Sequence, residues 1–240
     1  EISCSLVGSE MCIRDRALIT QSGAYACAIV VYDNTGKRIY QRNCVDHVTN
    51  VVFHENGNGC CFITASAEKG KVKSTVTSVL FEQKEAQWTS LPLETMALYA
   101  GFSSDNTLCV LGSKSCAFYS KSGELKSQYD LDGELIDAHL EDGRAALVVQ
   151  DMQERATSLV LLDHSAEDVS VVPLDATAFC VRVFDGDAYV MMPGNITSYD
   201  FSGKALATVS LESSYTSFLR SNGYLFLLGY DQIDRVNFKE

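Results

Sequence analysis

Tyr32-Asp33-Asn34-Thr35-Gly36-Lys37 is the stretch on which the fold turns. A polar residue follows an aromatic one, then comes Thr, then Gly. The same order returns as Tyr119-Ser120-Lys121-Ser122-Gly123-Glu124 and as Tyr199-Asp200-Phe201-Ser202-Gly203-Lys204. Such a stretch closes a tight hairpin, because the polar side chain bonds its own turn and Gly accepts positive φ. Weaker turns at Leu80-Phe81-Glu82-Gln83 and Leu162-Asp163-His164-Ser165 fill the gaps. The anchors at 32, 80, 119, 162 and 199 lie 48, 39, 43 and 37 residues apart.

Between these turns run short apolar or alternating stretches rich in Val, Ile, Leu, Phe, Tyr and Thr, separated by Gly, Asn, Asp and Ser. This is strand-and-turn patterning, and no amphipathic helix of ten residues stands out. A period near forty with four short strands per unit predicts an all-β chain, a β-propeller of four-stranded antiparallel blades. The innermost strands, A, are expected at Val48–Phe53, Ala97–Phe102, Leu135–Leu140, Ala178–Phe184 and Thr216–Arg220. Strands B follow at Gly59–Thr64, Thr107–Leu111, Arg144–Val149, Ala188–Met192 and Tyr224–Leu228. Strands C end in the aromatic-polar turns, and strands D close the blades, as at Gln87–Leu93 and Val169–Leu174. About three strands precede the first complete blade and about three follow the last. At roughly 41 residues per blade the chain from Ala17 holds about 5.4 blades. A ring wants a whole number, so the propeller is expected to be incomplete at its N-terminus.

The opening residues 1–16 do not share this patterning. Leu6 to Arg16 resembles one reading frame of a transposase-type sequencing adapter, so residues 1–16 are set apart as an expected artefact and 17–240 taken as the incomplete propeller. Setting them aside moves the net charge only from −12 to −11, through loss of Glu1, Glu10, Asp15, Arg14 and Arg16. Apolar residues make up 46% of the 240 and charged residues 21%, which suits a folded domain with a sizeable core. The acidic balance excludes a general attraction to nucleic acid or anionic lipid. No apolar run beyond residue 16 approaches the roughly 18 residues of a spanning helix.

Tyr32 to Tyr40, reading Tyr-Asp-Asn-Thr-Gly-Lys-Arg-Ile-Tyr, resembles the docking repeat of quinoprotein-type propellers, in which Asp, Thr-Gly-Lys and a later aromatic lock adjacent blades. Tyr40 stands where that family usually has Trp, and Leu125–Gln128 and Ala205–Thr208 lack the aromatic. The whole of 17–240 resembles a family of uncharacterised bacterial propeller proteins. That resemblance implies a membrane anchor in a segment upstream of the sequence given, with the side of the membrane left open. Propellers host enzymes, receptors and scaffolds alike, so the fold does not choose the function.

Catalytic and metal-binding patterns are sparse. Some quinoprotein dehydrogenases carry an adjacent cysteine pair bonded as a ring against the cofactor, and Cys60-Cys61 is such a pair by sequence. Followed by Phe62-Ile63, it reads more simply as two small apolar residues of a buried strand. Cys27, Cys44, Cys109, Cys116 and Cys180 form no CxxC pair, so zinc-ribbon and thioredoxin readings fail. His47, His54, His139 and His164 belong to no HExxH and are expected at turns and strand ends. Gly112-Ser113-Lys114-Ser115-Cys116 lacks the last Gly of a nucleophile elbow, and Gly57–Phe62 fails the dinucleotide pattern. Asn195-Ile196-Thr197 is a formal glycosylation sequon in an expected B–C turn. No catalytic residue, metal or cofactor is expected.

One regularity points to binding. A carboxylate ends each D strand: Asp46, Glu94, Asp132, Asp175 and Glu212. Their spacings follow the blade period, and D–A loops of a propeller share one face. They are expected to form an acidic ring that attracts a cationic ligand or a basic partner segment. Asp and Glu also shape turns at strand ends without further purpose. The B–C loops Glu68-Lys69-Gly70-Lys71 and Asp151-Met152-Gln153-Glu154-Arg155 belong to the same face and suit a protein or glycan partner. Trp88 and Tyr99 are candidate recognition aromatics; Trp88, in an outer strand, could also be an exposed anchor but is expected to pack between blades. The expected function is thus a non-enzymatic binding or protein-interaction module. The alternative is a quinoprotein-like or lyase-like enzyme with part of its site in missing blades.

Overall fold

The computed structural model describes residues 15–212 and 214–238, and the backbone of a short strand at Ser5–Val7. Most of the adapter-like stretch lies outside the described residues. Every regular element among the described residues is a strand. The chain divides into two compact units, residues 1–126 and 127–240.

The N-terminal unit carries three sheets, each a sequential meander. The first holds β1 (Ser5–Val7), β2 (Arg16–Ser22), β3 (Tyr25–Tyr32) and β4 (Arg38–Cys44). The second holds β5 (His47–Phe53), β6 (Gly59–Glu68), β7 (Lys71–Leu80) and β8 (Ala86–Thr89). The third holds β9 (Ala97–Phe102), β10 (Leu108–Gly112), β11 (Ser115–Tyr119) and β12 (Leu125–Asp130), and the boundary between units falls within β12. In the C-terminal unit β13 (Glu134–Glu141), β14 (Arg144–Gln150), β15 (Thr157–Asp163) and β16 (Val169–Pro173) make one sheet. A second comprises β17 (Cys180–Phe184), β18 (Asp187–Met192), β19 (Asn195–Tyr199) and β20 (Ala205–Ser210). A third comprises β21 (Ser217–Ser221), β22 (Tyr224–Leu228) and β23 (Ile233–Asn237). Neighbouring strands run antiparallel.

The repeated turns have the chemistry read from their residues. Asp33 Oδ1 accepts the Thr35 N–H at 2.9 Å, the Thr35 hydroxyl at 2.6 Å and the Lys37 N–H at 2.9 Å. Asp200 Oδ1 repeats this with the Ser202 N–H at 3.0 Å, the Ser202 hydroxyl at 2.6 Å and the Lys204 N–H at 3.0 Å. Ser120 substitutes its hydroxyl, which accepts the Glu124 N–H at 3.1 Å. Gly36, Gly123 and Gly203 stand at φ +82°, +83° and +86°, where a Cβ is strained.

Alternate residues of each strand face opposite sides, so each inner sheet feeds two cores. In the N-terminal unit Ile29, Val31 and Tyr40 of the first sheet pack with Phe53, Cys60 and Phe62 of the second. Cys61, Ile63 and Val76 face the other way, toward Leu108, Val110 and Tyr119 of the third. In the C-terminal unit Val148 and Leu161 meet Val183 and Val190, while Tyr189 and Met191 meet Phe218 and Leu225.

The turns also dock. A Cβ on Gly123 would lie 2.4 Å from Cδ2 of Trp88, and the Trp88 indole N–H donates to the Lys121 carbonyl at 3.1 Å. Trp88 packs parallel to Tyr119, with ring centroids 6.4 Å apart. In the C-terminal unit the Ser170 hydroxyl donates to the Phe201 carbonyl at 3.0 Å, and Gly203 abuts Val172. Lys121 and Phe201 hold the same place in their turns, so an outer-strand donor locks the next hairpin in both cases.

Three sequence expectations need adjustment. The strand expected over Gln87–Leu93 ends at Thr89, because Pro92 has no N–H to offer and Leu91 bulges outward; Leu93 rejoins as a single bridge to Ser74. The strand expected from Ala178 starts at Cys180, because the Ala178 N–H is taken by the Thr157 hydroxyl. His139 lies within β13 rather than at a strand end, and its Nδ1 accepts the Val183 N–H at 3.2 Å.

Candidate interaction surface

The five carboxylates singled out by spacing all lie in D–A loops and are all exposed. Asp46 and Glu94 belong to the N-terminal unit; Asp132, Asp175 and Glu212 belong to the C-terminal one. Their charge is not uniform. The Lys71 ammonium reaches Glu94 at 2.8 Å, and its hydrogen bond and charge hold the Glu94 carboxyl below its ordinary range. The other four carboxylates have no ion pair among the described residues.

Side chains that patterning did not reveal hold these loops. The Ser74 hydroxyl, at the start of the second sheet's third strand and fully buried, donates to the Thr95 carbonyl at 2.8 Å. It receives the Ala97 N–H at 2.9 Å. In the C-terminal unit the Thr157 hydroxyl donates to the Ala176 carbonyl at 3.0 Å and receives the Ala178 N–H at 3.3 Å. In the first sheet the Cys27 thiol does the same work, with the Asp46 carbonyl at 3.6 Å and the Val48 N–H at 3.4 Å. Each clamp spans a carbonyl and the N–H two residues on. Asp46, Glu94 and Asp175 sit in or beside the clamped peptides, so the backbone under each carboxylate is fixed.

Apolar side chains share these loops. Val45, next to Asp46, is 79% exposed, and Leu91, three residues before Glu94, is 87% exposed. Met96, Leu98 and Tyr99 are also exposed at the start of β9, so Tyr99 is available for recognition. In the C-terminal unit Phe179, four residues after Asp175, and Leu219, within β21 and seven residues after Glu212, are also exposed. Carboxylates beside open apolar groups on a fixed backbone can receive a segment that is both basic and apolar.

A second feature lies at the opposite end of the second sheet. A cavity of about 520 Å³ is lined in part by His54, Cys61, Ser78, Gln87, Trp88 and Phe102. The Ser78 hydroxyl donates to Gln87 Oε1 at 3.0 Å and lies 3.2 Å from His54 Nε2. The Ser78 hydroxyl is thus within hydrogen-bond reach of both Gln87 and the imidazole, and the His54 tautomer sets which of Ser78 and His54 donates. Burial lowers the His54 pKa. A Cβ on Gly59 would lie 2.1 Å from the Val79 carbonyl and 2.9 Å from His54 Nδ1, so Gly is required there. Ser78 is buried, and its hydroxyl ties the turn that begins at His54 to β7.

The remaining chemistry is quiet. Cys60 and Cys61 point into different cores, as alternation in β6 requires, and both are free thiols. Burial raises the Cys61 pKa to about 12 and pushes Cys60 higher still. The bonded-ring arrangement of quinoproteins is thus not the state of this pair. Among the described residues no group of three or more His, Cys, Asp and Glu could hold a metal ion. Among the described residues no helix is long and apolar enough to cross a membrane.

Solved structures share the fold. Sqt1 of Saccharomyces cerevisiae superposes with a TM-score of 0.61 at 11% identity, covering 90% of this chain and 66% of that one. The WD40 domain of SCAP from fission yeast gives 0.58 at 10% identity, covering 95% and 62%. The WD40 domain of Neurospora crassa Pan2 gives 0.56 at 13% identity, covering 93% and 70%. The chain thus spans under two thirds of the length of the first two. At these identities the likeness shows the fold alone: four-stranded antiparallel sheets of a WD40-like β-propeller. No curated protein matches the chain. The model of a family of unknown function, DUF5711, matches residues 15–238, and the chain belongs to that family.

Proposed function

We propose that the chain is a non-enzymatic protein-interaction module whose D–A loops receive a basic, partly apolar segment of a partner protein. The observation that carries this is the recurrence of exposed carboxylates at the blade period, three of which (Asp46, Glu94 and Asp175) sit on clamped backbone with exposed apolar side chains nearby. Clamping lowers the entropy lost when a ligand docks, and the apolar neighbours supply burial that exposed charge alone does not. One solved structure of similar fold, BBS1N, is in complex with ARL6DN, which supports a protein partner. Apolar side chains flanking the acids favour a peptide over a glycan.

The test uses a fluorescein-labelled peptide of alternating Lys and Leu, titrated by anisotropy. The double variant D132N/D175N should weaken binding about tenfold, two exposed charges being worth about 0.2–1 kcal/mol each. Unchanged affinity contradicts the proposal. The resemblance to anchored propellers further motivates the proposal that a membrane-spanning segment is encoded upstream. Sequencing the genomic locus across the codon for Arg16 tests it, and an upstream frame without an apolar stretch of about 20 residues contradicts it.

A further inference from the structure

Of the three loop clamps, two use a hydroxyl and one a thiol. Ser74 and Thr157 have no redox chemistry; Cys27 does. Its partner is in place. Cys27 on β3 stands directly opposite Cys44 on β4 in the ladder. Directly opposed residues of an antiparallel pair have Cα atoms about 4.5–5.5 Å apart, within the roughly 4.4–6.8 Å that a disulfide spans. Cys44 is the last residue of β4, and Asp46 follows two residues on. Both thiols are free, and each residue retains 5% exposure at the loop-bearing end of the sheet.

We propose that Cys27 and Cys44 are a dithiol modification site whose oxidation to a disulfide releases the D–A loop carrying Asp46. The regulatory part rests on the proposed binding role of that loop. The oxidant is a peroxide, small enough for a nearly closed site. The thiolate of Cys27, rather than that of Cys44, whose pKa burial pushes up to about 11, attacks a peroxide oxygen, forming a sulfenic acid and releasing one water from hydrogen peroxide. The second thiol displaces hydroxide from the sulfenic sulfur, forming the S–S bond and a second water. Two electrons pass from the two sulfurs to the peroxide, and the two thiol protons end in water. The Cys27 sulfur then has no hydrogen to donate to the Asp46 carbonyl and is drawn toward Cys44, away from the Val48 N–H.

The other close thiol pair supplies the contrast. Cys109 and Cys116 have sulfurs 3.5 Å apart, but Cys116 stands opposite Leu111, so the two are diagonal neighbours. Diagonal positions place Cα atoms about 7–8 Å apart, beyond disulfide reach without backbone movement. Both are also closed to solvent. The native fold should oxidise the first pair and spare the second.

The experiment treats the whole chain with hydrogen peroxide under native conditions, alkylates remaining thiols after denaturation, and maps tryptic peptides by mass. A cross-link joining residues 17–37 to 43–69, lighter by two hydrogens, is expected; Cys44→Ser should abolish it and Cys60→Ser should not. Cys109 and Cys116 should be recovered alkylated. Recovery of Cys27 and Cys44 as alkylated thiols overturns the site. In parallel, peroxide should weaken binding of the Lys-Leu peptide about threefold, the worth of one exposed charge, in the wild type and not in Cys44→Ser. A cross-link with unchanged affinity overturns the regulatory coupling. The mass measurement does not use the peptide, so it decides the modification even if the binding reading itself fails.

Discussion

The Ser74 hydroxyl is bonded on both sides within one loop, giving its proton to the Thr95 carbonyl at 2.8 Å while receiving the Ala97 N–H at 2.9 Å. One buried atom thus satisfies a donor and an acceptor where the chain crosses between sheets. Ser74→Ala leaves both backbone groups unpaired in a closed site, which costs about 1–3 kcal/mol. Urea unfolding should show that loss for Ser74→Ala and a similar one for Thr157→Val. A change below 0.5 kcal/mol for both would deny the clamp its role.

Gly123 and Gly36 adopt the same φ in equivalent turns but face different surroundings. A Cβ on Gly123 would meet Trp88, while one on Gly36 would meet nothing within 4 Å. Gly36→Ala should cost only the positive-φ strain, about 1 kcal/mol, and Gly123→Ala roughly 2–4 kcal/mol because the docked indole must move as well. Equal losses in thermal or denaturant unfolding would show that the Trp88 contact adds nothing.

Asp137 bridges two sheets of the C-terminal unit. Its Oδ2 accepts the Val181 N–H and the Arg182 guanidinium, each at 2.9 Å. Asp137→Ala strands both donors in a half-buried setting, and about 2 kcal/mol of stability should be lost. Asp137→Asn keeps an acceptor oxygen and should recover part of it in the same unfolding assay.

Acid should act through the turns. The Ser103 hydroxyl, then the Thr107 N–H, hold the Asp105 carboxyl down to about 2 from an ordinary 3.8. Asp33 and Asp200 are lowered by the Thr35 and Ser202 hydroxyls and by their turn N–H groups. A carboxyl whose folded pKa is depressed stabilises the fold above its unfolded value and ceases to do so as pH falls through the folded one. Stability should therefore decline from about pH 4 toward 2. Asp105→Asn should make that decline shallower, and an unaltered slope in urea melts across the window would contradict the assignment.

What could be read without coordinates was local. The turn at Tyr32–Lys37 is closed by atoms within four residues of Asp33, so its chemistry is visible in a single stretch. The carboxylates at Asp46, Glu94, Asp132, Asp175 and Glu212 were placed in their loops by strand spacing alone. The clamps were not legible, because Ser74 and Thr157 find their partners 19 to 23 residues away, across a whole strand and loop. The neutralisation of Glu94 was hidden for the same reason, its partner Lys71 being 23 residues earlier. His54 looks like an ordinary turn residue until β7 brings Ser78 to its Nε2.

The most direct test of the account is a charge swap on the C-terminal unit, D132K/D175K. These residues are exposed and have no ion pair among the described residues, so the fold should tolerate the change. Anisotropy titrations would compare the Lys-Leu peptide with a Glu-Leu peptide of the same length, on the wild type and on the variant. The account predicts that the wild type prefers the basic peptide and that the variant loses it by more than tenfold while gaining the acidic one. Equal binding of both peptides by both proteins would contradict the claim that these loops recognise a basic partner.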